Sequence, residues 1–353
     1  MTLALIAAAL TPEVSDALTD RFGWRLRTVS DIRSGIPLDD STLDLAEIEA
    51  LVVEAQPVTA EVFAALPNLK LLGCLRGEPV NVDLDAATRR GIPVLHTPAR
   101  NRESVADYVL GLMLSVTRNI ATTHHLIVSR VLTESSVTAS RRPPRKDVIW
   151  RPADSSRPIP YDVYRGPELR SLTLGLVGFG AIGRCVGEKA LALGMPVVAH
   201  DPGVDARELA EAGIAPMDLD RVLAVSDVVS LHARAPGPPI IGALEIAAMK
   251  PGSYLINTSR ANLVDYDALT SALRDGHLAG AGLDVFPDEP LTSDSPLLEL
   301  SNVTLTPHLA GASTNVVEHQ SAIFLESLSA LETGSSAARR RAVRNPEVLE
   351  FAT

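Results

Sequence analysis

Two rounds of alternating short apolar runs and helical segments predict an α/β protein with two doubly wound parallel sheets. The first round fills the opening hundred residues, and the second begins at Leu172. An aperiodic stretch, residues 131–167, lies between them. Such alternation stacks strands in a parallel sheet with helices on both faces. A Gly-rich turn at the first strand–helix junction of the second round is the third observation. The length of 353 residues suits two domains, and an apolar share of 46% is enough to bury two cores.

In the first round, Leu3–Ala8, Ala50–Val53, Leu69–Cys74 and Pro93–Leu95 read as buried strands. Thr11-Pro12-Glu13 marks a helix start with Pro at the first helical position. Ala60–Ala65 and Asp83–Arg90 read as helices, the latter with Asp83 as N-cap and Gly91 just past its end. One long helix is expected from Ser104 to about Val128, because Val105, Val109, Leu112 and Val116 share a face. Residues 131–167 read as a long surface loop or arm, with a basic run from Arg141 to Lys146. Second-round strands are expected at Leu172–Val177, Pro196–His200, Val228–Leu231, Tyr254–Asn257, Ala281–Val285 and Val303–Thr306. The helices between them are Ala181–Leu193, Leu219–Val225, Ala243–Met249 and Asp265–Arg274. Ser313 to about Leu331 reads as a final helix, followed by a loosely held tail, Glu332–Thr353.

Charge and composition exclude several classes. A net charge of −11 opposes non-specific nucleic-acid binding, which needs phosphate-neutralising cations. The two cysteines, Cys74 and Cys185, lack metal-ligand spacing and cannot form a disulfide framework. They read as core residues of a reducing, cytoplasmic compartment, and no metal site is expected. Met1–Leu10 is apolar but lacks the basic start of a signal peptide, so a strand is expected there. No run of 18 apolar residues predicts a membrane span.

Gly178-Phe179-Gly180-Ala181-Ile182-Gly183 fits G-x-G-x-x-G, follows a predicted strand and opens a predicted helix. That context makes it a dinucleotide-binding turn. Gly178 permits the tight turn, Gly180 lets backbone approach a pyrophosphate, and Gly183 lets helix and strand pack closely. Free N–H groups at the helix start would face the phosphates. Asp201, at the end of the next strand, is placed to accept from a ribose hydroxyl. A carboxylate there repels a 2′-phosphate, so NAD is expected rather than NADP.

Three polar segments follow predicted strands: Asn257-Thr258-Ser259-Arg260, Asp284 with Glu289 beyond it, and Thr306-Pro307-His308. Ligands of open α/β sheets bind outside the carboxyl ends of strands, so these segments are expected to converge. A Glu bonded to a His makes a general acid/base near neutral pH. Glu289 would orient His308 and favour its charged form. Arg260 can grip a carboxylate through two parallel hydrogen bonds.

Four motifs together resemble the D-isomer-specific 2-hydroxyacid dehydrogenase family, which includes D-3-phosphoglycerate dehydrogenase and glyoxylate/hydroxypyruvate reductases. They are Gly175–Gly183, Ile256–Ala261, Gly282–Pro290 and Thr306–Gly311. The resemblance spans nearly the whole chain. It implies two Rossmann-like domains, with a cofactor domain, 103–307, inserted in a split, flavodoxin-like substrate domain, 1–102 and 308–353. It implies a catalytic triad of Arg260, Glu289 and His308. Cofactor contacts are implied at Gly178, Gly180, Ala181, Ile182, Gly183, Asp201, His232, Thr258, Ser259, Asp284 and Gly311, with Asp284 near the nicotinamide carboxamide. Arg76, Gly77 and Glu78 match the loop that helps hold the substrate carboxylate. The implied reaction passes a hydride between substrate C2 and NAD while His308 moves the hydroxyl proton. The implied partners are a small hydroxy or keto acid and a second copy of the chain, a homodimer.

Three departures qualify the match. Glu78 stands where the family usually has a small residue, and it is read as biasing the site toward a polyhydroxylated acid. Arg234–Pro239 lacks the family's usual Thr. The 131–167 segment is expanded, near the family's dimer contact. The tail lacks the long extension of many phosphoglycerate dehydrogenases, so serine feedback is not expected. The implied substrate is of phosphoglycerate or sugar-acid type, with glyoxylate or hydroxypyruvate reduction as the alternative. An NAD-sensing corepressor is the non-enzymatic alternative. Formate dehydrogenase shares the fold but carries Gln where this chain has Glu289.

Overall fold

A computed structural model describes residues 2–29, 36–133, 137–141, 148–152, 159–234 and 237–350. The chain forms two compact units, Met1–Asn101 with Ser313–Thr353, and Arg102–Ala312. The second is thus inserted in the sequence of the first.

Unit 1 contains strands β1 (Leu3–Ala7), β2 (Arg25–Thr28), β3 (Ile48–Val53), β4 (Leu71–Cys74) and β5 (Val94–His96). They form one parallel sheet in the order β2-β1-β3-β4-β5, the flavodoxin-like winding. β3 is buried along nearly its whole length, as a strand covered on both faces must be. One face packs against Phe63 and Leu66, the other against Leu18, Trp24 and Phe324. Phe324 lies on the helix Val316–Thr333 and meets Trp24 edge-on at 6.4 Å between ring centroids. Burying such a ring contributes roughly 2–3 kcal/mol and ties the returning segment to this sheet.

Unit 2 begins with the helices Arg102–Thr117 and Ile120–Val128, and its first strands are an antiparallel hairpin, β6 (Val137–Arg141) with β7 (Val148–Pro152). Its main sheet holds β8 (Leu174–Val177), β9 (Val197–His200), β10 (Ala215–Pro216), β11 (Val228–Leu231), β12 (Ser253–Asn257), β13 (Leu278–Leu283) and β14 (Val303–Leu305). The order is β10-β9-β8-β11-β12-β13-β14, all parallel. Winding reverses between β8 and β11, which opens a crevice beyond their carboxyl ends.

The structure departs from the sequence reading in several places. The expected long helix is two helices, Arg102–Thr117 and Ile120–Val128, broken where Asn119 adopts φ +56°. Asn tolerates that left-handed conformation better than most residues. β2 escapes the pattern because its Arg-Leu-Arg-Thr sequence is a largely exposed edge with no apolar run. The tail is docked: Ser335 caps the helix Ser336–Ala342, and Ala342, Val343, Asn345 and Val348 are buried. Residues 131–167 include the β6–β7 hairpin and a short helix, Pro160–Val163, where an aperiodic loop was expected. Most of the basic run, 142–146, and residues 235–236 of the Arg234–Pro239 turn lie outside the described residues. Among the described residues no helix is long and apolar enough to cross a membrane, and no cluster of three His, Cys, Asp or Glu side chains is placed to hold a metal ion.

Candidate functional site

The Gly-rich turn sits at the winding reversal of unit 2, between the end of β8 and the helix Ala181–Ala192. Gly178 has φ +97°, and a Cβ there would lie 2.6 Å from the backbone of His232 and Ala233. A Cβ on Gly183 would lie 2.4 Å from the Gly178 carbonyl oxygen, so helix and turn pack at contact distance. Nothing lies within 4 Å of the corresponding position on Gly180. The turn is therefore closed on the protein side and open on the side where a pyrophosphate would approach the helix start, next to exposed Ala181 and partly exposed Ile182. Asp201 follows β9, and its carboxylate accepts from Phe179 N at 2.7 Å and from Gly203 N at 2.8 Å. This carboxylate ties β9 to the turn. Thr258 is buried and its hydroxyl has no protein partner, a polar group left for a ligand to satisfy. These features fit a dinucleotide of the NAD type.

His232, just after β11, stays neutral: burial pushes its imidazole down to about 4. Its Nε2 lies 2.9 Å from Ser230 Oγ, which can donate to it. Ser259 Oγ donates to Ala233 O at 2.9 Å and links the β12 and β11 ends.

Glu289 and His308 are hydrogen-bonded. His308 Nδ1 lies 2.7 Å from Glu289 Oε2, and the other Glu289 oxygen accepts from Phe286 N at 3.0 Å. The two side chains are 49% and 37% exposed. Partial burial raises the Glu289 carboxyl, but the His308 hydrogen bond, the Phe286 N–H and the charges of His308 and Arg260 outweigh it and hold the group below its ordinary value. His308 itself has φ +53°, an uncommon conformation for a side chain with a Cβ.

Asp284 explains how that conformation is held. It is 0% exposed; Oδ1 accepts from Thr306 Oγ1 at 2.6 Å and Leu309 N at 2.8 Å, and Oδ2 from Ala310 N at 2.7 Å. The sequence reading placed Asp284 against the cofactor. In the structure its carboxylate also clamps the turn that carries His308. His308 and partly buried Gly311 belong to unit 2, whose last residue is Ala312, whereas the sequence reading opened the returning segment at 308.

Arg260 is exposed, and one of its guanidinium nitrogens donates to Ser259 O at 2.7 Å. Its turn is shaped by buried Asn257, which donates to Arg260 O at 2.9 Å and accepts from Ser259 N at 3.0 Å. The sequence reading gave Asn257 no role; its position at the buried end of an apolar strand was the available signal. Glu289 and His308 also line a cavity of about 480 Å³ with Phe286, Pro290, Leu291 and Leu298.

In unit 1, the Arg76–Glu78 loop follows β4. Thr97 N donates to Arg76 O at 2.9 Å, and His96 Nδ1 lies 3.1 Å from Gly77 O. Glu78 pairs with Arg344 at 3.3 Å.

A doubly wound sheet with this turn, Asp201 and a Glu–His pair at its strand ends defines a dinucleotide-binding α/β protein with acid/base machinery. Residues 110–310 match the D-isomer specific 2-hydroxyacid dehydrogenase, NAD binding domain. The chain is 40% identical over 273 residues to D-3-phosphoglycerate dehydrogenase of Mycobacterium leprae, covering 76% of this chain and 46% of that protein. It is 34% identical over 291 residues to glyoxylate reductase of Korarchaeum cryptofilum, covering 82% and 81%. The crystal structure of the TT0316 protein from Thermus thermophilus superposes with a TM-score of 0.69 at 31% identity, covering 94% and 96%. The chain belongs to the D-isomer specific 2-hydroxyacid dehydrogenase family and carries its NAD-binding domain. It spans about half the length of the phosphoglycerate dehydrogenases it matches.

Proposed function

We propose that this protein is an NAD-dependent oxidoreductase that interconverts a D-2-hydroxy acid and its 2-keto acid. The observation that carries the reading is the His308–Glu289 hydrogen bond, at the carboxyl end of the same sheet that carries the Gly-rich turn. With Nδ1–H donated to Glu289, the imidazole presents Nε2 as an acceptor for the substrate hydroxyl proton. The imidazolium that forms stays paired with the Glu289 carboxylate. In the reverse direction it returns the proton to the C2 oxygen. Arg260 holds the substrate carboxylate and polarises that oxygen. NAD, when bound, supplies the hydride acceptor.

The substrate is proposed to be of phosphoglycerate or sugar-acid type, supported by the similarity to the mycobacterial enzyme. Glyoxylate or hydroxypyruvate reduction is the second reading, supported by the similarity to glyoxylate reductase over most of both chains. The Arg76–Glu78 loop is proposed to contact the substrate carboxylate. The contacts proposed for NAD are Gly178, Gly180, Ala181, Ile182, Gly183, Asp201, His232, Thr258, Ser259, Asp284 and Gly311. A homodimer is proposed as well. Helix Ile120–Val128 has no buried residue, and Ile120, Ile127 and Val128 are exposed, an apolar face suited to a second copy. The proposed compartment is the cytoplasm.

A panel of 2-keto acids with NADH and NADPH tests the activity. Turnover of at least one acid with NADH is expected, together with loss of most of kcat and retained NADH affinity in His308→Ala. A wild-type protein that binds NADH yet reduces no acid would refute the reading.

A further inference from the structure

Glu78 places a carboxylate in the loop proposed to receive a carboxylate, an arrangement that by itself repels substrate. The structure supplies the compensation. The tail crosses the free edge of β5: Val343 bridges Leu95, and Arg344 N donates to Val94 O at 2.8 Å. Buried Asn345 locks this crossing, accepting from Val94 N and donating to Ile92 O, each at 2.9 Å. The loop is anchored to the same strand end through His96 and Thr97. Both partners thus hang from β5, and Arg344 Nη2 meets Glu78 Oε2 at 3.3 Å with the side chains 46% and 44% exposed.

We infer that Arg344 is a positioning residue for substrate. It holds the Glu78 carboxylate and cancels its charge, so that the Arg76–Glu78 loop accepts an anionic acid. The inference rests on the reading of that loop as a carboxylate site. With Arg344 present, the formal charges of Arg76, Glu78 and Arg344 leave the loop cationic; without it, Glu78 offsets Arg76 and the attraction is lost. Arg344 acts through Glu78 and not by contact, which separates it from a second anchor.

The experiment compares wild type, Arg344→Gln, Arg344→Lys, Glu78→Gln and the double variant Glu78→Gln/Arg344→Gln. It reads KM and kcat for the reduced acid, and binding of oxalate to the NADH complex. Oxalate carries the carboxylates but no ketone to reduce, so its binding reports the loop without turnover. Arg344→Gln is expected to raise KM and weaken oxalate about five-fold at unchanged kcat, the size a part-exposed pair supports. The effect shrinks at high salt. Arg344→Lys keeps most of the affinity, and the double variant returns to near wild type because the loop then carries no carboxylate to oppose the substrate. Should Arg344→Gln fail to fold, Arg344→Lys and Glu78→Gln still report, the latter by tighter oxalate binding. Unchanged oxalate binding in Arg344→Gln would overturn the inference, as would a loss that Glu78→Gln does not rescue. No oxalate binding by wild type overturns it too. If oxalate follows the expected pattern but no acid is reduced, the proposed activity fails and the inference stands.

Discussion

Replacing Glu289 by Gln tests the acid/base assignment most directly. Both carboxylate oxygens of Glu289 are acceptors in use, one for His308 Nδ1–H at 2.7 Å and one for Phe286 N–H at 3.0 Å. An amide has one oxygen: with its NH2 toward Phe286 N–H that bond is lost, and with its NH2 toward His308 Nδ1 the pair survives only in the tautomer whose Nε2 carries the proton and cannot accept from substrate. The remaining bond also loses its charge assistance. Hydrogen bonds to charged groups contribute about 1.5–3 kcal/mol and neutral ones about 0.5–1.5. The half-exposed pair allows water to recover part of the loss, which leaves about 2 kcal/mol. At 1.36 kcal/mol per factor of ten, that is about a 30-fold fall in kcat/KM for the keto acid. Stopped-flow or steady-state kinetics, with NADH affinity by fluorescence, would read it. The NADH Kd is expected to hold, because the Gly-rich turn and Asp201 are untouched. The same carboxyl is held below its ordinary value in the fold, so its contribution to stability is full above the ordinary carboxylate range and lost as pH falls through the folded value. The stability gap between wild type and Glu289→Gln should therefore close in acid. A kcat/KM near wild type, or an equal loss of NADH affinity, would refute the reasoning.

Three further outcomes are expected. Asp201→Asn removes the charge opposing a 2′-phosphate, so the NADH-over-NADPH preference in kcat/KM should fall by about ten-fold or more; an unchanged ratio would remove Asp201 from the ribose site. Gly183→Ala puts a methyl 2.4 Å from Gly178 O, backbone that cannot yield cheaply. A loss of about 1–3 kcal/mol in urea denaturation, with weaker NADH binding, is expected, and wild-type stability would show that the helix can shift. Burial holds His232 at about 4 against an ordinary 6.5, so below pH 6.5 the unfolded chain takes up a proton that the fold refuses. Stability is then complete above pH 6.5 and declines toward pH 4, by at most about 3 kcal/mol because the ring is only partly buried. His232→Gln should flatten that slope in denaturation midpoints measured between pH 7 and 4.5; an identical slope would place the titrating group elsewhere.

Much of the fold was legible because strands buried on both faces cannot hide their apolar runs. β3, β8 and β11 announce themselves in this way. β2 did not, because an exposed edge imposes no such pattern. The break at Asn119 was hidden because an apolar face continues on either side of it. The tail looked loose because its anchors are one Asn and three small or medium apolar residues, whose burial depends on the edge of β5 being free.

The site divides along the same line. The sequence by itself determined the dinucleotide turn, because glycines at G-x-G-x-x-G spacing between an apolar strand and a helix mark a backbone that must turn tightly and be approached closely. It also determined the Glu289–His308 pairing through residue type and their place after neighbouring strands. Only the tertiary structure decided that Asp284 clamps the His308 turn from inside the protein, and that Arg344 answers Glu78 across more than 260 residues of chain. Local chemistry is written in short motifs, whereas a carboxylate's role depends on which donors the fold brings to it, and those donors come from other strands.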